Sequence, residues 1–186
     1  MRRFYIITAA IITIAAMAIG ASIVAQNDDK ATKKAQHTAA QNQRQQHRAE
    51  RIAAYERYVD SLVLSHNYRF TPQTIQQLPA GIMRNLANPA YEIVVRSEDV
   101  DICIPYIKGY TPPYYTVVFN YVVPYVSGYT AEQTSDGWNV TFSSTLFSTT
   151  NYTFHLEIYS RYGGAMLTIS SPFYNSVQYT GNVMGI

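Results

Sequence analysis

Cysteine is almost missing: Cys103 is the only one in 186 residues. One cysteine cannot close an intrachain disulfide or build a thiolate metal cluster. Its bland role is that of a small buried hydrophobe. Net charge is nearly missing too. The formal +2 is supplied by Arg2 and Arg3, because from Gln26 onward 12 basic residues balance 12 acidic ones. A neutral body lacks the long-range pull of nucleic-acid binders and polybasic membrane binders. No glycine-rich phosphate cradle, dinucleotide fingerprint or glycine–serine–glycine elbow occurs. The four histidines include no pair at metal-site spacing. His37 and His47 lie in a polar stretch, His66 precedes a strand, and His155 stands beside Glu157.

The chain is rich in tyrosine, with 17 residues. Tyrosine favours strands and half-buried faces, where the ring is dry and the hydroxyl wet. The N-terminus "MRRFYIITAAIITIAAMAIGASIVAQ" sets two arginines before an apolar run from Ile6 to about Ala25. That layout is a secretory signal peptide. The run is also long enough to span a bilayer as an uncleaved anchor. The small-residue end at Ala25 and the polar "QNDDK" after it favour cleavage. No cysteine follows the run, which excludes a lipid-modified cysteine there. Residues 1–25 are therefore read as signal or anchor, placing the body of the chain in the periplasm or cell envelope.

Residues 26–48 hold no large apolar side chain, so they cannot bury enough surface to offset the entropy of ordering. They read as a tether, or as a helix formed only part of the time. The folded domain spans 49–186. It opens with Ile52, Tyr55, Val59 and Leu62 on one helical stripe, with Glu56, Arg57 and Asp60 on the polar side. Turn signals then recur every eight to twelve residues, as in an antiparallel meander. "RSE" separates "YEIVV" from "DVDICI", Asp136-Gly137 precedes "WNVTFSSTLF", and "RYGG" precedes "AMLTISS". "SVQYTG" reads as the last strand. Alternation points Tyr152, Phe154, Leu156 and Ile158 to one face, and groups Trp138, Val140 and Phe142 likewise. Prolines at 72, 79 and 89 make 71–88 read as a short helix or crossing loop.

The candidates for chemistry are few. Asp101 and His155 could belong to a hydrolase site, although His155 also reads as a solvated strand residue. Glu98, Asp99 and Asp101 lack the glycine and further ligands of a calcium loop. Cys103 would need a base beside it to act as a nucleophile. No catalytic residue, metal ligand or cofactor is assigned. In "DICIPYIKGYTPPYYTVVFNY", alternation sends Ile102, Ile104 and Tyr106 to one face of a first strand ended by Pro105. Tyr115, Val117, Phe119 and Tyr121 fall on the apolar side of the next strand, after a crossing stiffened by Pro112-Pro113. Lys108, Tyr110 and Tyr114 remain as a candidate ligand-binding surface.

From Glu50 to Gly185 the chain resembles a bacterial envelope family catalogued as domain of unknown function 4251, found mainly in Bacteroides-like bacteria. "YRFTPQ", "NPAYEIVVRSEDVDICIPY", "GWNVTF", "GGAMLTISS" and "SVQYTG" carry the resemblance. It departs at "PYIKGY", where a tighter "PYFG" turn is expected. The resemblance implies an exported, mostly antiparallel domain and brings no catalytic residues. The expected fold is an antiparallel β-sandwich or partly open barrel of about eight to ten strands with one N-terminal helix. The expected function is a non-enzymatic envelope module that binds a protein, glycan or apolar molecule. It would bind no nucleic acid, and would touch membrane only through an uncleaved N-terminal segment. The alternatives are a carrier holding an apolar ligand inside a barrel, and the hydrolase near His155 and Asp101.

Overall fold

The computed structural model describes residues 34–109, 114–124, 127–146, 150–161 and 163–186. The signal segment, Tyr110 and Pro112-Pro113 lie outside the described residues. Residues 34–51 form one unit, a helix with every side chain exposed. That matches a composition with nothing large to bury. Among the described residues no helix is long and apolar enough to cross a membrane.

Residues 52–186 form the second unit. Its helical part, 52–64, buries Val59, Leu62 and Val63. Asp60 is no solvated flank, because its Oδ1 accepts the Trp138 indole N–H at 2.7 Å. The helix stops at His66, whose φ of +49° is left-handed. There the Asn67 N–H reaches back to the Leu62 carbonyl at 3.2 Å, a helix-closing geometry.

The fold is mainly β: ten strands in one open antiparallel sheet, with a single N-terminal helix among the described residues. The strands are β1 (Tyr68–Gln77), β2 (Arg84–Asn85), β3 (Glu92–Val95), β4 (Asp99–Lys108), β5 (Tyr115–Pro124), β6 (Ser127–Gln133), β7 (Gly137–Leu146), β8 (Thr150–Tyr159), β9 (Gly164–Ser171) and β10 (Tyr174–Gly185). Their order is β5-β4-β3-β1-β10-β9-β8-β7-β6, with β2 also on β1. The turns fall where glycine and charge mark them. At Gly137, φ is +155° and a Cβ would collide with the Ile158 carbonyl, so the Asp136-Gly137 corner needs glycine.

This sheet is rolled rather than flat. Tyr106 of β4 stacks on Phe119 of β5 at 4.7 Å, and both meet Tyr152 of β8 edge-on at 5.5 and 5.0 Å. β4 and β8 stand five places apart in the order, so only folding back brings them together. The Tyr179 hydroxyl on β10 donates to the Pro105 carbonyl on β4 at 2.6 Å. The Tyr68 and Tyr129 hydroxyls, on β1 and β6, lie 3.2 Å apart. β5 and β6 end the order on opposite edges, yet Pro124 and Ser127 are three peptide units apart, roughly 11 Å at most. Antiparallel pairing at every step makes β5 and β6 run the same way. The chain thus leaves one edge and joins the other without reversing, as strands do at the corners of packed sheets.

The space inside the roll is solid. Tyr68, Tyr106, Tyr152, Tyr179, Phe70, Phe119, Phe142 and Phe154 are all fully buried. All four alternating positions of β8, and Trp138, Val140 and Phe142 on β7, point inward as expected. The core and the ladders of the described residues lie within 52–186, so this part contains what a domain needs to fold on its own.

Three expectations fail. Residues 71–88 are no helix: β1 runs through Pro72 to Gln77, with a register shift between Pro72 and Thr74 that absorbs the proline. Pro105 does not end β4, which continues to Lys108. β3 pairs no further along β4 than Cys103, and a strand with one ladder side vacant takes a proline there at little cost. Tyr115 is not core. It is 65% exposed, because β5 begins beyond the filled part of the roll.

Candidate functional site

One end of the sheet gathers the bulky side chains that the core leaves out. β1 stops at Gln77, which is buried and donates through Nε2 to the Gly109 carbonyl at 2.7 Å. This ties the end of β1 to the end of β4. The following residues fold into a short flap hydrogen-bonded on both legs. On the outgoing leg, the Leu78 N–H donates to the Ser176 carbonyl at 2.8 Å and the Gly81 N–H to the Gln77 carbonyl at 2.7 Å. Gln76 Nε2 adds a bond to the Gly81 carbonyl at 2.9 Å. On the return leg, Arg84 and Asn85 pair with Ile75 and Thr74, and the Leu86 N–H reaches the Gln73 carbonyl at 2.8 Å. Ile82 and Met83 are left at the tip, both exposed.

Two neighbouring features complete this end. β5 begins beside the end of β4, with Lys108 opposite Tyr115, and Tyr114 and Tyr115 are both exposed. The β9–β10 turn presents Phe173, also exposed. Beside it, Lys108 Nζ lies 4.7 Å above the Tyr174 ring, a cation–π contact. Between flap and β5 opens a cleft of about 450 Å³, walled chiefly by Gln77, Gly81, Ile82, Arg84, Ile107 and Tyr114. Lys108 and Tyr114, singled out in the sequence, therefore both stand at this end. Tyr110 lies outside the described residues. Ile82, Met83 and Arg84 were missed, because a segment with three prolines carries no strand signal. The pairing of β2 with β1, which shapes the flap, is non-local.

The residues of the hydrolase reading do not meet. Asp101 and His155 alternate with buried neighbours on β4 and β8, so both face outward. Five strand spacings separate them, roughly 24 Å along the sheet, and the roll turns their faces apart. His155 Nδ1 is hydrogen-bonded to the Thr141 hydroxyl at 3.0 Å, and its Nε2 lies 3.5 Å from Glu157. Glu157 in turn accepts from the Tyr159 hydroxyl at 3.0 Å. This is an outer-face cross-strand network. Cys103 is half-buried, opposite Glu92 and Asn120, and the Glu92 carboxylate is paired with Arg69 at 3.4 Å. Asp99 pairs with Arg96 at 3.4 Å across the β3–β4 turn. Among the described residues, no three of His, Cys, Asp and Glu converge as a metal site.

A family model described as "Domain of unknown function (DUF4251)" matches residues 50–183. The chain belongs to this family. A crystal structure of a DUF4251 family protein from Bacteroides eggerthii is similar to it, at a TM-score of 0.56 and 14% identity. The similarity covers 72% of this chain and 89% of that one. At that identity the likeness concerns the fold. No curated protein matches the chain.

A second, smaller cleft of this DUF4251 domain, about 180 Å³, lies between Glu56 and Asp60 of the helix and Asp136, Ser160 and Arg161 of the turns. Three of its four charges, Glu56, Asp60 and Arg161, are spent on one another or on the core. Arg161 Nε stands 3.8 Å from Glu56, and Asp60 holds Trp138. The arrangement anchors the helix to the sheet. The flap end instead leaves Ile82, Met83, Tyr114, Tyr115 and Phe173 exposed, and is the candidate site.

Proposed function

We propose that this chain is exported and that its DUF4251 domain is a non-enzymatic binding module of the cell envelope. Its partner, a protein, glycan or apolar molecule, is engaged through the flap end. The observation that carries the reading is the set of exposed Ile82, Met83, Tyr114, Tyr115 and Phe173 at one end of the sheet, where Ile82 and Tyr114 wall an open cleft. Exposed apolar side chains are ordinary singly, but several at one end mark an interaction surface. The hydrolase reading loses support from the separation of Asp101 and His155. The carrier reading loses its barrel interior, which aromatic rings fill. A small apolar ligand in the cleft stays as the second reading, since about 450 Å³ falls within the range of small-molecule sites.

The apolar run after Arg2 and Arg3 supports export. Fractionation of cells is expected to find the chain outside the cytoplasm, with mass spectrometry placing the mature N-terminus at Gln26. For the binding surface, residues 50–186 carrying Ile82→Ser and Tyr114→Ser together are expected to lose most of the retention of envelope extract shown by the unsubstituted domain. These side chains are exposed, so folding should be unaffected. Equal retention by both proteins would overturn the reading.

A further inference from the structure

The flap end is apolar, and its few charges share one sign. Residues 77–91, 108–109, 114–118 and 170–178 make up the flap and the strand ends around it. They contain only two charged residues, Arg84 and Lys108, and no Asp or Glu. From Gly109 to Ala131 the chain has no charge at all. Ile82 and Met83, Tyr114 and Tyr115, and Phe173 come from three separate connections. Each presents one or two bulky side chains at the same end, with Ile82 79% exposed and Phe173 57%. The cations sit just behind these tips. Arg84 lies one residue past Met83, and the Lys108 ammonium rests over the Tyr174 ring next to Phe173.

We propose that this end docks on a lipid bilayer surface that carries anionic headgroups. The inference rests on the reading that the flap end is the binding surface, and names its partner. Apolar tips can enter the boundary between headgroups and acyl chains, where tyrosine is at home because its ring is apolar and its hydroxyl polar. Arg84 and Lys108 then lie at headgroup depth, where anionic lipid attracts each of them. A protein partner of similar area would be expected to offer acids to two cations and a shaped dry pocket to the aromatics. Three separate tips without acids fit a deformable surface better. Over residues 50–186 the domain has 7 basic and 10 acidic residues, a formal −3, so attraction is local to the flap end and starts only on contact. This goes beyond the expectation that only the N-terminal segment touches membrane.

The test uses residues 50–186, which hold the complete core and lack the N-terminal apolar run. Sedimentation is measured with vesicles of phosphatidylcholine alone and of phosphatidylcholine mixed with phosphatidylglycerol. The domain is expected to partition onto the mixed vesicles. Ile82→Ser with Phe173→Ser should lower that partition roughly tenfold. Arg84→Gln with Lys108→Gln should lower it by a similar factor on mixed vesicles and by much less on the neutral ones. Near-ultraviolet circular dichroism confirms that each variant is folded. Absence of partition onto either vesicle, or partition that neither pair of substitutions changes, overturns the proposal. Delipidated envelope protein serves as the second arm. If it retains the domain through Ile82 while vesicles do not, the lipid proposal falls and the flap end stands as a protein-binding surface. If neither binds, both readings fall together.

Discussion

Phe154→Ala is expected to lower the unfolding free energy by about 3–5 kcal/mol, the usual cost of emptying an aromatic site in a packed core. Phe154 is fully buried on β8. Its ring stacks on Phe142 at 4.8 Å with an interplanar angle of 7°, and Tyr129 of β6 continues the stack at 6.3 Å from Phe142. The stack joins three neighbouring strands, β8, β7 and the edge strand β6. Removing its end leaves a cavity that β7 and β9, held in full ladders on both sides of β8, cannot collapse to fill. The outward neighbour Thr153→Ala should change stability by no more than about 0.5 kcal/mol. Urea titration of both variants checks the contrast, and a loss under about 1 kcal/mol for Phe154→Ala would mean that the roll is not solid there.

The second large effect is alkaline unfolding. Burial pushes the Tyr68 and Tyr179 phenols well above the ordinary value of 10.0, with Tyr129 adding a smaller contribution at Tyr68 and Tyr106 one at Tyr179. Tyr152 is pushed up to about 12, first by burial and then by the nearby Tyr174 and Tyr121 hydroxyls. A folded pKa above the unfolded one means that the folded state holds its proton when the unfolded chain has released it. Stability from these groups is complete below pH about 10, and is lost as pH rises from there through the folded value, near 12 for Tyr152. The tyrosinate absorbance of these buried phenols should therefore appear together with loss of near-ultraviolet circular dichroism, in one cooperative step above pH about 10. Full ionisation of all tyrosines near pH 10 with the dichroism intact would contradict the burial described for these three.

Much of the fold was legible because the strands are half-buried. Where one face is core and the other wet, a period of two is written directly in the residues, as in "NYTFHLEIY" and "WNVTF". The short turns were legible as well, since glycine and charged residues mark them locally. What alternation cannot carry is the roll itself. Tyr106 meeting Tyr152, and β5 leaving one edge for β6 to join the other, depend on strand order, which no local pattern encodes. Pro72 and Pro105 misled for a related reason: each is tolerated by a non-local circumstance, a register shift in one case and a vacant ladder side in the other. At the candidate site, Lys108 and Tyr114 stood out as what remained once the core was assigned. Ile82, Met83 and Arg84 did not, because their exposure comes from a flap pinned by Gln77, Ser176 and Gln73, which are scattered along the chain.

The central claim is that the domain works by binding at the flap end, with no site assembled on the sheet's outer face. Hydrogen exchange of residues 50–186, with and without solubilised envelope extract, tests it most directly. The account predicts added protection confined to the flap at 78–86, the start of β5 at 114–118 and the turn at 172–174. Protection centred on β8 around His155 or on β4 around Asp101, with the flap unchanged, would contradict it.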